Sequence, residues 1–131
     1  MFPMLKAIES TKQLRFVSRC IDRIERAIDW VQTSETLTNP THIVEDLYLA
    51  KEQLQEWKKE PDSSPNFQAA YHFKNNAMGS IGLIITGHRS TRIYLPAIRS
   101  FLESALSLLI EERELLETFI REIRTVNEVS E

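Results

Sequence analysis

Apolar residues recur along this chain at spacings of three and four, in four stretches separated by short polar segments. That period puts the apolar positions of each stretch on one side of a helix. In the first stretch Leu14, Val17, Cys20, Ile21, Ile24, Ala27, Ile28 and Val31 form one stripe. The run Ser10-Thr11-Lys12-Gln13 fits a capping box, so a helix is expected from there, or from a turn earlier, to about Thr33. Thr33 to Thr38, rich in Ser and Thr, reads as a connection. Asn39-Pro40 opens the second stretch, with Asn39 as cap and Pro40 where a missing N–H costs nothing; Ile43, Leu47, Ala50, Leu54 and Trp57 form its stripe. Lys58 to Ser64 has no periodicity and reads as an exposed loop, ended by a second cap at Ser64-Pro65.

The third stretch has two readings. As a helix, Phe67, Ala70, Tyr71, Ala77, Met78, Ile81, Ile84 and Ile85 keep the spacing, and Gly87 is its stop. As strands, Ile81 to Thr86 and Arg92 to Leu95 flank Gly87-His88-Arg89-Ser90-Thr91 and form a β-hairpin near 81–95. The helix is preferred, because a two-stranded hairpin with no sheet to join is marginal. The fourth stretch predicts the longest helix, from about Ser90 through Pro96 to about Val126, with Ile98, Leu102, Ala105, Leu109, Leu116, Phe119, Ile123 and Val126 facing a core. Leu106, Leu108, Ile110, Leu115 and Ile120 widen that stripe beyond what one neighbour covers, which predicts burial against two helices or against a homodimer partner. The expected fold is all-α: one up-and-down bundle of about four helices forming a single domain over 1–131.

Composition sharpens this picture. With 131 residues, 42% hydrophobic and 27% charged, the chain has the make-up of a globular domain, and its three glycines favour helix over sheet. The formal charge of −3 supplies no overall field for nucleic acid or an anionic membrane, so nucleic-acid binding is disfavoured. Cys20 is the only cysteine; among apolar helical positions it is expected to be a buried, inert thiol. No apolar run is long enough for a signal-peptide core or a bilayer span, which makes the cytoplasm the expected location.

Candidate chemistry is sparse. There is no phosphate loop, paired-cysteine metal spacing or nucleophile elbow, so neither catalysis nor a cofactor is expected. His42 and Glu45 share a helix face, but a bundle metal site needs carboxylates and histidines from several helices; a solvated His42 and no metal are expected. The clearest charge pattern is a basic ridge on the first helix, Lys12, Arg15, Arg19, Arg23 and Arg26. It pairs with the glutamates of the fourth helix, at 111, 112, 114, 117 and 122, or is simply solvated, or docks an acidic partner, with nucleic acid a weaker alternative because exposed interleaved aromatics are missing. Arg89, Ser90 and Arg92, with His88, lie at a helix start where an anion can bind; a polar turn capped by Ser90 is the plainer alternative.

The segment from Ala70 to Leu83 contains His72, then Asn75, Asn76 and Gly79 along the same side, then Ile81-Gly82-Leu83. It resembles the phosphorylatable helix of histidine-containing phosphotransfer domains, which are small four-helix bundles. The resemblance implies a phosphorelay carrier with His72 as acceptor. Where that family carries lysine three residues after the histidine, this chain has Asn75, with Lys74 one place early. A histidine with no phosphoryl role is the plainer alternative. The expected function is that of a non-enzymatic protein-interaction module: a regulator, adaptor or assembly factor that binds another protein through helix surfaces.

Overall fold

The computed structural model describes residues 2–37, 39–57, 64–87 and 91–130, with side chains placed for these except at 2–7, 40, 91–93 and 126–130. Four helices, α1 (Phe2–Glu35), α2 (Pro40–Gln55), α3 (Pro65–Ile85) and α4 (Thr91–Ser130), pack against one another, with no strand among the described residues. The hairpin alternative near 81–95 is not supported. α3 runs helical to Ile85, and Gly87 ends it by taking φ +79°, a left-handed conformation that glycine adopts without a Cβ clash.

The polar punctuation works as its chemistry dictates. Asn39 accepts from the Thr41 N–H at 3.0 Å and Ser64 from the Phe67 N–H at 3.2 Å, each followed by proline in the first turn. Two helix boundaries differ from expectation. Ser10 does not cap α1; it is buried two turns inside it. The first connection is shorter than its composition suggests: α1 continues to Glu35, and the Thr33 and Ser34 hydroxyls are satisfied within it by the Asp29 and Trp30 carbonyls.

The core draws on all four helices. The predicted stripes of α1 and α2 are buried apart from half-buried Leu14, and on α3 Phe67, Ala70, Ala77, Ile81 and Ile84 are buried. α4 lies between α1 and α3, so Leu106, Leu108 and Ile110 are half-buried against the core. Two positions on α4 exchange roles: Ile120 is buried, whereas Phe119 is exposed. One residue in that turn must face outward, and at a period of 3.6 position 120 continues Leu109, Leu116 and Ile123. Val126 falls outside the described side chains.

The helices differ greatly in length, at 34, 16, 21 and 40 residues. At 1.5 Å per residue α4 spans about 60 Å and α3 about 32 Å. α1 and α4 run antiparallel, for Glu35 meets Arg99 at one end and Leu14 lies beside Ile120 toward the other. The shared core extends along α1 from Val17 to Val31 and along α4 from Leu95 to Leu116. Ser10, Ile120 and Ile123 are buried outside it, where α1 and α4 continue as a two-helix extension.

Candidate functional site

The basic ridge forms on α1, with Lys12, Arg15, Arg19 and Arg26 exposed and Arg23 half-buried. Its cross-helix ion pair joins Arg23 to Glu56 at the end of α2, rather than to the glutamates of α4. Arg15, Arg19 and Arg26 have no ion pair among the described residues, and the Arg19 guanidinium donates to its own helix at the Arg15 carbonyl, at 3.5 Å.

At the end of the shared core and just beyond it, α4 exposes two large apolar side chains. Leu115 is 56% and Phe119 40% exposed. Both lie on the flank that meets α3 further along: Phe101 stacks on Phe73 at 6.4 Å, Leu108 follows one heptad on, and Leu115 one heptad after that. On the opposite side of the pair, Thr11, Leu14, Glu117, Ile120, Arg121 and Arg124 line an open cleft of about 220 Å³.

On α3, His72, Asn75, Asn76 and Gly79 are all exposed, so they share a solvent-facing side. Lys74, the one cation in the helix, points the other way. It occupies the in-register core position between Ala70 and Ala77, and it is only 3% exposed. Its Nζ donates to the Trp57 carbonyl at 3.3 Å, just beyond the end of α2, where free carbonyls favour a cation. The ammonium also sits 4.2 Å from the Tyr71 ring centre and 5.7 Å from that of Trp57, with the two rings edge to face. Loss of water pushes its pKa below the usual lysine value, and Cys20 on α1 acts in the opposite direction. Cys20 itself is buried, as expected.

The sequence stripe passed over Lys74 because of its charge. The signal was its register, since positions 67, 70, 74, 77, 81 and 84 are the buried series. Three more buried polar atoms, Asp46 Oδ2, Gln53 Oε1 and Trp57 Nε1, have no hydrogen-bond partner among the described residues. Asp46 and Gln53 fall on one line of α2, and Trp57, just beyond its end, packs against Phe67 and Tyr71 of α3.

The proposed anion site cannot be assembled: Arg89 and Ser90 lie outside the described residues, as does the side chain of Arg92. His42 is exposed, with Nδ1 3.6 Å from Glu45. Among the described residues no three His, Cys, Asp or Glu side chains come together as metal ligands, and no helix is long and apolar enough to cross a membrane. No protein-family model, curated protein or solved structure matches the chain.

Proposed function

We propose that the protein is a non-enzymatic interaction module, acting as a regulator, adaptor or assembly factor through its helix surfaces. The observation that carries this reading is the length mismatch. α1 and α4 outrun the shorter pair, and the flank of α4 that α3 covers continues past it as exposed Leu115 and Phe119. Two large apolar side chains four residues apart form a continuous strip, unlike single scattered ones. Exposed Arg15, Arg19 and Arg26, with no ion pair among the described residues, add a charged surface suited to an acidic partner.

The test is the double variant Leu115→Glu, Phe119→Glu. If these side chains present a surface, the melting temperature stays within a degree or two and binding of an apolar dye at low micromolar protein falls. A large loss of stability would place them in the core and sink the reading.

A second reading, phosphorelay with His72 as acceptor, draws support from the exposed imidazole and its small polar neighbours. It is weakened by Lys74, whose charge is turned into the core and leaves no cation on that side of α3. Incubation with a small-molecule phosphoryl donor decides it: a carrier gains an acid-labile phosphate that is absent from His72→Gln.

A further inference from the structure

Within the core, the α1–α4 pair is covered on one side by α2 and α3. On α1 that side is marked by Phe16, whose ring lies 5.4 Å from Phe67 near the start of α3, and by Arg23, paired with Glu56. Traced back from Phe16 at helical spacing, the same flank carries Lys12 and Glu9, both exposed. On α4 the side is marked by Phe101 against Phe73, and it continues to exposed Leu115 and Phe119. Glu9, Lys12 and Phe119 therefore belong to one side of the extension, with Leu115 at its inner edge, and no described helix of this chain covers that side.

We propose that a second copy of this chain covers that side. In a twofold, antiparallel dimer, the extension of each copy lies on the extension of the other, filling the place that α2 and α3 fill in the core. This inference rests on the interaction-module reading and names its partner.

Length and charge both support the arrangement. α3 covers about 32 Å of an α4 that is about 60 Å long, and two antiparallel extensions bring the cross-section to four helices where each copy alone has two. Glu9 and Lys12 are three residues apart, so a twofold axis between them sets Glu9 of one copy against Lys12 of the second copy, and the reverse. This gives two opposite-charge pairs about the axis.

The area sets the strength. Two helix flanks about 21 Å long and about 10 Å wide offer roughly 400 Å² of flat contact. That is about half of the roughly 800 Å² each partner contributes to a standard interface. The dimer is therefore weak and reversible, forming as concentration rises.

Sedimentation equilibrium from low to high micromolar protein tests this. Wild type should pass from monomer to dimer. Phe119→Glu should stay monomeric with an unchanged helical melt. Glu9→Lys should weaken association by about tenfold, and Glu9→Lys with Lys12→Glu should restore it. A dimer indifferent to Phe119→Glu and to the charge reversal would put the interface elsewhere and overturn the proposal. A monomer at every concentration would overturn it as well. In that case dye binding that is lost in Leu115→Glu, Phe119→Glu leaves the interaction-module reading standing with another partner, and its absence in wild type removes both.

Discussion

Replacing Lys74 by methionine removes a buried charge while nearly keeping the length and flexibility of the side chain. The ammonium makes one charge-assisted hydrogen bond, worth about 1.5–3 kcal/mol. It also lies over two rings, at about 0.5–2 kcal/mol. Against these stands a desolvation cost of several kcal/mol for burying the charge. The depressed pKa says that desolvation wins, because the protonated form is less at home in the folded protein than in the unfolded chain. Lys74→Met should therefore unfold within about 1 kcal/mol of wild type near neutral pH. Lys74→Ala, which leaves a hole between Trp57 and Tyr71, should lose about 2–4 kcal/mol.

The sign of the pH dependence follows from linkage. A lysine with a lowered folded pKa binds fewer protons folded than unfolded, so wild-type stability rises with pH between its folded pKa and the usual 10.5, then levels off. Lys74→Met lacks this slope. Urea unfolding of both proteins from neutral pH to the alkaline limit should show wild type gaining steadily on the variant. Parallel curves, with the variant more than about 3 kcal/mol weaker at neutral pH, would mean that the hydrogen bond and rings outweigh desolvation and that this account of Lys74 is wrong.

Other expectations are simpler to check. Gly87→Ala should lower stability by about 1 kcal/mol, because φ +79° strains any residue with a Cβ; thermal melts read it. Ser64→Ala should cost about 1 kcal/mol by leaving the Phe67 N–H without its cap, while Ser64→Asp retains most of it. Gln53→Leu should hold or raise stability by up to about 1 kcal/mol, since it removes a buried acceptor with no partner among the described residues; a clear loss would reveal a bond that the fold depends on. The triple change of Arg15, Arg19 and Arg23 to glutamate should lower stability by no more than about 1 kcal/mol, because Arg23 is only half-buried and its partner Glu56 is exposed, yet should abolish binding of an acidic partner.

The four helices were legible because each has one dominant apolar stripe, and because Asn39-Pro40, Ser64-Pro65 and Gly87 are turn and cap residues with a single backbone role. The errors came where side-chain chemistry and position disagree. Ser10 looks like a cap but sits inside α1; Thr33 and Ser34 look like loop residues but bond back to their own helix. Lys74 is absent from the apolar stripe of α3, although its register is that of the core. Phe119 and Ile120 both fit the spacing between Leu116 and Ile123, and only the packing shows that Ile120 is the buried one. The surplus apolar width of α4 was visible in the sequence. That Phe101 packs against Phe73 of α3 while Leu115 and Phe119 stay exposed depends on where the short helices end against the long ones, which no local pattern encodes.

Hydrogen exchange at two protein concentrations tests the central claim, that the α1–α4 extension is a surface built to be covered. In dilute solution, amides of α1 from Val17 to Val31 and of α4 from Leu95 to Leu116 should exchange orders of magnitude more slowly than those on either side of Leu14 and Ile120, because only the former lie within the four-helix core. At high concentration the extension should gain protection while the core is unchanged. Uniform protection along both long helices at every concentration would contradict the account, since it would leave the extension with nothing to gain from a partner.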